Sequence, residues 1–167
     1  MCGRAFFKST ANELSARYKF AASAESSDYH PKVNAGPGST IPVLVSEQTS
    51  HVIKYAKWGL IPSYHKGEKL DYFRAFNCRS ESMHEKALFR GPLATCRCVL
   101  LVDGYFEWTL QSGVKQPYFI REKDEEPFMI AGLYTCITIN GKVEITSTML
   151  TCGASPVLAE VHHRRYN

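Results

Sequence analysis

Long apolar runs are missing from this 167-residue chain, and the stretches that do occur, such as Cys98–Val102, are short. A membrane-spanning helix needs roughly 20 apolar residues in a row, so the sequence predicts no membrane partner. A signal peptide is also missing, because Arg4 and Lys8 interrupt the start and no apolar segment follows them. We therefore expect a protein that stays inside the cell, in the nucleus of a eukaryote or the cytoplasm of a bacterium.

The six cysteines lack the spacing of a zinc site. Cys96 and Cys98 are separated by a single residue, whereas the paired cysteines of zinc sites usually have about two to four residues between them. Since no secretory signal precedes them, the cysteines are expected as free thiols rather than as a disulfide framework. The sequence predicts neither a metal nor a cofactor.

A strong excess of charge is absent as well. The chain has 20 basic and 16 acidic side chains, a net charge of +4 and a sequence pI near 8.7. This mild basic bias permits a polyanionic partner without requiring one. The length suits one domain with a substantial core, which we expect to be a monomer.

The chain does not alternate strands with long helices, as a doubly wound sheet requires. Hairpin turns are expected at Ser112-Gly113 and Asn140-Gly141. Runs rich in β-branched and aromatic residues predict strands at Val43–Ser46, Val52–Trp58, Cys98–Val102, Tyr105–Trp108, Pro117–Ile120, Phe128–Thr138 and Val143–Thr151. The predicted fold class is α+β: mainly antiparallel β, barrel-like, with a few short helices.

Capping patterns predict three of these helices. Ser9-Thr10-Ala11-Asn12-Glu13 opens the first, which ends near Tyr18, and Ser82-Met83-His84-Glu85 opens the second. Ser155-Pro156 is typical of a helix start, with serine as the N-cap and proline in the first turn. The third helix would therefore deliver His162 at its C-terminal end.

Cys2 stands directly after the initiator Met1. Removal of Met1 would leave a cysteine whose α-amine and thiol sit on adjacent carbons. Such an aminothiol suits the capture of aldehydes, because the amine forms a Schiff base and the thiol can add to it to close a five-membered thiazolidine. Neither group is fully deprotonated at neutral pH, so both need a nearby base or a lowered pKa.

Three polar residues lie inside otherwise apolar stretches: Asn77, Glu107 and His162. Glu107 is flanked by two aromatics in a segment that reads as a buried strand, so its carboxylate has either a partner or a raised pKa, which suits acid–base work. Each residue also has a structural interpretation: a core arginine partner for Glu107, a helix-dipole contact for His162 and a turn for Asn77. Their spacing in the sequence does not decide between these interpretations.

Eight short motifs in a fixed order make the chain resemble the SOS response-associated peptidase (SRAP) family, from residue 1 to residue 164. They are Met1-Cys2-Gly3-Arg4, Asn34-Ala35-Gly36-Pro37, Trp58-Gly59-Leu60-Ile61-Pro62-Ser63, Asn77-Cys78-Arg79-Ser80-Glu81, Asp103-Gly104-Tyr105-Phe106-Glu107-Trp108, Gln116-Pro117-Tyr118, Ala131-Gly132-Leu133-Tyr134 and Val161-His162-His163-Arg164. Details of the fourth and last motifs are closer to the animal branch of the family than to the bacterial one.

The end of the chain departs from the family pattern. The family normally reads His-x-Arg-Met-Pro and continues for some tens of residues, whereas Arg164 is followed here by Arg165-Tyr166-Asn167. The resemblance therefore implies a single SRAP domain over residues 1–167 that lacks the family's closing segment.

The resemblance implies a sensor that traps abasic sites in single-stranded DNA covalently. Processed Cys2 would attack the aldehyde of the abasic sugar and form a thiazolidine crosslink. Asn77 would orient the Cys2 amine or the sugar, and Glu107 would shuttle protons during Schiff-base formation. His162 would act as a second acid–base group on the sugar side, with lyase-like potential through β-elimination.

The resemblance also implies the residues that contact DNA. Arg4, Arg79 and Arg164 match family arginines that bind phosphates, which gives sequence-independent and salt-sensitive binding. Tyr64 stands where the family usually has tryptophan, and an aromatic there can stack on a base beside the lesion. Core packing is the preferred interpretation of Trp58.

Two other functions stay open at this point. The family name taken literally predicts a thiol peptidase, acting on itself or on other proteins, with Cys2 as nucleophile and His162 as base. A third class is a non-catalytic reader of modified cytosine in DNA, which would not need an N-terminal cysteine. Substitution of Cys2 by alanine separates a reader from a crosslinking protein.

Overall fold

The computed structural model describes residues 3–22, 29–66 and 69–167. Its strands are β1 (Arg4–Phe7), β2 (Ala21–Ala22), β3 (Lys32–Ala35), β4 (Thr40–Glu47), β5 (Ser50–Trp58), β6 (Asn77–Arg79), β7 (Arg97–Val102), β8 (Gly104–Gln111), β9 (Val114–Ile120), β10 (Phe128–Ile139), β11 (Lys142–Gly153) and β12 (Arg164–Tyr166). Its helices are α1 (Ala11–Tyr18), α2 (Ala87–Thr95) and α3 (Pro156–Ala159), and a single 3₁₀ turn spans Met83–Glu85.

The larger sheet closes into a five-stranded barrel. Its strands follow the order β12-β11-β10-β7-β4-β5-β2, and β11 also pairs in parallel with β5 through Thr146↔Lys57 and Ser147↔Trp58. That pairing completes the ring β4-β5-β11-β10-β7, while β6 adds to the outer edge of β11. The remaining ring pairings are antiparallel. The observed architecture confirms the barrel-like, mainly antiparallel α+β fold expected from the sequence.

The smaller sheet has the order β3-β1-β8-β9, with every pairing antiparallel. Apolar residues from both sheets form one core cluster, which includes Phe7 of β1, Trp58 of β5, Tyr105 of β8 and Tyr166 of β12. A second cluster forms where Phe89 of α2 packs near residues of β10 and β11. The two sheets therefore share a core.

Every long strand predicted from the sequence is present. The residues of both predicted hairpin turns, Ser112-Gly113 and Asn140-Gly141, have positive φ angles, as tight turns between twisted strands require. The prediction missed the strands of two to four residues, which are too short to show an alternating pattern. Two of them, β2 and β3, lie between residues 21 and 39, where small and polar residues with prolines and glycines predict a loop. Residues 23–28 of this stretch lie outside the described residues.

The helix predictions were partly wrong at their boundaries. The first helix is confirmed, with a capping box between Thr10 and Glu13. The second does not begin at Ser82, because a 3₁₀ turn forms there and Lys86 has an extended backbone that delays the helix to Ala87. The third begins after Ser155 as predicted but is only four residues long, so His162 lies beyond it rather than at its end.

No helix in residues 3–22, 29–66 and 69–167 is long and apolar enough to cross a membrane. Within the same ranges, no three histidine, cysteine or acidic side chains are grouped so that they could bind a metal ion.

Candidate functional site

Glu107 is buried on the inner face of β8. Strand alternation turns Tyr105 and Glu107 toward the core and leaves Trp108 on the opposite face of the sheet. The Glu107 side chain is only 2% exposed, and its Oε1 lies 3.4 Å from Nδ1 of His162. The sequence correctly predicted a buried strand here. A core arginine was one predicted partner for Glu107, but the neighbour in the structure is His162.

His162 is positioned by main-chain contacts that follow α3. Its backbone N–H donates to the carbonyl of Leu158 over 2.9 Å, which continues the helical turn beyond Ala159. Its ring is 15% exposed, and Nδ1 accepts a hydrogen bond of 3.0 Å from the backbone N–H of Arg164. A backbone N–H can only donate, so this hydrogen bond requires an unprotonated Nδ1 and places the hydrogen of a neutral ring on Nε2.

Nδ1 of His162 is therefore the point where three groups meet. The carbonyl oxygen of Arg164 lies 3.2 Å from it, in addition to the Arg164 N–H and the Glu107 carboxylate. A proton that arrives on Nδ1 would face two acceptor oxygens but would displace the N–H donor. The Glu107 carboxylate and the His162 ring therefore lie close enough to form one acid–base arrangement, as general acid–base catalysis requires.

Asn77 begins β6, which pairs in parallel with β11 through Asn77↔Met149. The residue before it, Phe76, uses its carbonyl oxygen to accept from the backbone N–H of Met149 over 3.1 Å and from Nε1 of Trp58 over 2.9 Å. Trp58 is completely buried, so the core role expected for it is confirmed. These contacts fix the backbone of Phe76 and therefore the position of the half-buried Asn77 that follows it.

Cys2 lies outside the described residues, but its neighbour Gly3 is placed. β1 pairs with β8 through Arg4↔Phe106 and Ala5↔Tyr105. Continued by one residue, this register sets Gly3 opposite Glu107. A Cβ built on Gly3 would lie 3.5 Å from the Phe76 ring, so Gly3 also adjoins the segment that leads into Asn77.

The three predicted phosphate-binding arginines have different environments. Arg4 and Arg79 are exposed. The Arg4 guanidinium lies across Gly36, where an added Cβ would come within 2.9 Å of Arg4 Nη1. Arg164 is only 13% exposed and forms a bidentate ion pair with Glu81, over 2.7 and 2.9 Å.

The Arg164–Glu81 pair is supported by strand β11. Nη2 of Arg164 also donates to the carbonyl oxygen of Thr151 over 2.6 Å and to its hydroxyl over 3.0 Å. The charge-assisted hydrogen bonds raise the pKa of Arg164 and lower the pKa of Glu81 to about 2. Glu81 belongs to one of the family motifs, but its sequence position predicts no role for it.

Tyr64 is 69% exposed and lies in a loop. The N–H of Leu60 donates a hydrogen bond to the carbonyl of Ala75, which connects the two ends of this loop. The same loop exposes Phe73, which is 70% exposed, and Trp108 on β8 is 37% exposed. Neither Phe73 nor Trp108 was predicted from the sequence as a candidate DNA contact. The only available signal was their aromatic character, which is equally typical of core residues.

Three of the described cysteines, Cys78, Cys98 and Cys136, have raised thiol pKa values. Cys78, between Asn77 and Arg79, is buried, and burial raises its pKa to about 11. Burial raises the pKa of Cys98 to about 12, and it also raises that of Cys136. Since the thiolate is the reactive form, these thiols are inert near neutral pH.

The chain is similar to known proteins along most of its length. The chain is 31% identical over 166 residues to abasic site processing protein YobE of Bacillus subtilis, covering 98% of this chain and 75% of that protein. It is 34% identical to abasic site processing protein HMCES of Gallus gallus, over 81% of this chain and 50% of that protein. A crystal structure of a protein from Bacteroides thetaiotaomicron superposes with a TM-score of 0.87 at 25% identity, covering 99% of this chain and 75% of that one.

The family model described as SOS response associated peptidase (SRAP) matches residues 1–166. The match spans both sheets and all the residues of the candidate site, so it concerns the whole fold rather than an isolated motif. The chain belongs to the SRAP family.

Proposed function

We propose that this protein captures abasic sites in single-stranded DNA as a covalent crosslink to Cys2. The observation that carries the proposal is the buried Glu107–His162 pair, with Nδ1 and Oε1 3.4 Å apart, next to the strand β1 that Cys2 precedes. A base and a proton donor at that place suit an aminothiol that must react with an aldehyde. Two relatives in the same family are named abasic site processing proteins, which agrees with an aldehyde-bearing DNA lesion as the substrate.

The reaction balances with one molecule of water released. After loss of Met1, the Cys2 amine attacks C1 of the open-chain sugar and forms a carbinolamine. Protonation of its hydroxyl by the Glu107–His162 pair expels water and leaves a Schiff base. The Cys2 thiol then adds across the carbon–nitrogen double bond, its proton moves to the nitrogen, and the thiazolidine closes.

Three side chains have separate tasks in this scheme. Glu107 moves protons to and from the carbinolamine, and its burial strengthens its interactions with charged intermediates. His162 works on the sugar side, where it assists ring opening and any strand-cleaving β-elimination. Asn77 orients the amine or the sugar by hydrogen bonds from a backbone position fixed by β11.

DNA is held by cations and by stacking. Arg4 and Arg79 are exposed and bind backbone phosphates, while Arg164 contributes its positive charge beside His162. Tyr64 supplies an exposed ring, and stacking on one base contributes about 1–3 kcal/mol. Such contacts do not read sequence, so the substrate is defined by the aldehyde and by the flexibility of a single strand.

The proposal is tested by incubating the protein with single-stranded DNA that carries one abasic site, followed by a denaturing gel. We expect a shifted band that survives heat and detergent and that disappears with Cys2→Ala. The intact mass of the protein is measured in parallel to verify that Met1 is absent. A protein without Met1 that forms no band would contradict the proposal, and retained DNA binding by Cys2→Ala without any crosslink in the parent would favour a reader.

A further inference from the structure

Glu81 is outside the set of residues assigned to the chemistry, yet it has the best-defined side-chain pairing near the site. Both of its carboxylate oxygens accept from Arg164, Oε1 from Nη1 over 2.7 Å and Oε2 from Nη2 over 2.9 Å. A bidentate pair of this kind fixes the plane of the guanidinium as well as its distance.

The fixed guanidinium in turn fixes the main chain of Arg164. Its Nη2 is anchored to the carbonyl and hydroxyl oxygens of Thr151, and its backbone pairs with β11 through Gly153↔Arg164. The N–H of that same backbone donates to His162 Nδ1 over 3.0 Å. A continuous set of contacts therefore runs from Glu81 through Arg164 to the His162 ring, and from the ring to Glu107.

We infer that Glu81 is a positioning residue that orients the His162 imidazole against Glu107, acting through Arg164. The orientation of the His162 ring by Glu81 is argued from contacts alone, whereas an effect of that orientation on catalysis rests on the proposed function. Half-exposed ion pairs contribute little to folding stability, so the effect of Glu81 lies in geometry rather than in holding the fold together. Displacement of a catalytic group by about 1 Å can cost up to about 100-fold in rate.

The test compares Glu81→Gln with the matched control Glu85→Gln. The control glutamate is also exposed, and its ion pair is a 3.8 Å contact with His84. The crosslinking rate is measured as a function of the concentration of abasic single-stranded DNA. For Glu81→Gln we expect the maximal rate to fall about tenfold, within the range for misplaced catalytic groups. The DNA concentration that gives half the maximal rate should stay unchanged, and the control should behave as the parent.

A second readout needs no DNA. In the parent, the ¹⁵N resonance of His162 Nδ1 should lie at the position of an unprotonated, hydrogen-bonded ring nitrogen, and in Glu81→Gln it should move toward a mixture of tautomers. An unchanged Nδ1 resonance together with an unchanged maximal rate would overturn the inference. Tighter DNA binding by Glu81→Gln at an unchanged maximal rate would also overturn it, because Glu81 would then compete with phosphate for Arg164. A parent protein that does not crosslink would reject the proposed function, while the Nδ1 resonance would still decide the inference.

Discussion

Two carboxylates hold the segment that carries His162 and Arg164, and they do so in opposite environments. Glu107 is 2% exposed and lies 3.4 Å from His162, whereas Glu81 is 52% exposed and forms a close bidentate pair with Arg164. Because Glu107 is buried, its electrostatic interactions with neighbouring groups are screened less than those of an exposed carboxylate. Glu81 is solvated by water and stays charged, and both of its oxygens accept hydrogen bonds from the Arg164 guanidinium. We propose proton transfer as the role of the inner pair, Glu107 and His162, and orientation as the role of the outer pair, Glu81 and Arg164.

The largest expected effect breaks the inner pair. Glu107→Gln keeps the size of the side chain but removes its ability to exchange a proton, so we expect crosslinking to slow by about 10²- to 10⁴-fold, the usual contribution of a general acid–base group. Single-turnover rates with abasic single-stranded DNA measure this effect. The exposed Glu122 provides a matched control in Glu122→Gln, which should react like the parent. A parent-like rate for Glu107→Gln would show that the inner pair is only structural.

A smaller effect is expected from Gly36→Ala, at the residue that follows β3 and lies beside the Arg4 side chain. The Cβ of Gly36→Ala would come within 2.9 Å of Arg4 Nη1, and this flexible end of the side chain must move aside. We expect DNA binding to weaken by a few fold and the dependence of log affinity on log salt concentration to fall by up to about one unit. Fluorescence anisotropy at several salt concentrations measures both quantities. An unchanged salt dependence would contradict the proposal that Arg4 binds a phosphate.

Thr151→Val tests the outer pair by removing one hydroxyl acceptor from Arg164, together with a weaker hydrogen bond to the Cys78 carbonyl, while the Thr151 carbonyl acceptor stays in place. One such hydrogen bond contributes about 1 kcal/mol, so its loss should reduce the crosslinking rate by only about two- to fivefold. The maximal crosslinking rate measures it. A loss larger than that of Glu81→Gln would show that Thr151, rather than the carboxylate, anchors Arg164.

The smallest effect concerns stability in acid. Hydrogen bonds from Arg164 hold the pKa of Glu81 at about 2 in the folded protein, compared with about 4.3 for an unperturbed glutamate. A lowered folded-state pKa stabilises the protein above the unfolded value, and this contribution is lost as the pH falls from about 4.3 through about 2. Because Glu81 is exposed, the loss should be small. Chemical denaturation of the parent and of Glu81→Gln across this range measures it, and a difference that grows toward low pH would contradict the assignment.

The sequence predicted the inner half of the site better than the outer half. The aromatic residues on both sides of Glu107 identified the buried strand Tyr105–Trp108, because runs rich in aromatic residues predict strands. His162 was expected at the end of a helix, yet α3 stops at Ala159 and the ring is set by a hydrogen bond from Arg164. The Glu81–Arg164 pair joins residues far apart in the chain through the short strands β6 and β12, and short strands carry no pattern that reveals their partners.

The identity of the bond to DNA tests the central proposal most directly. The crosslinked product is digested with nuclease and protease, and the N-terminal peptide is analysed by tandem mass spectrometry after treatment with a thiol-alkylating reagent. We predict a peptide that begins at Cys2, carries the sugar remnant with the loss of one water, and has a thiol that resists alkylation. A remnant attached to a lysine, or a Cys2 peptide that still begins with Met1 or remains open to alkylation, would contradict the thiazolidine.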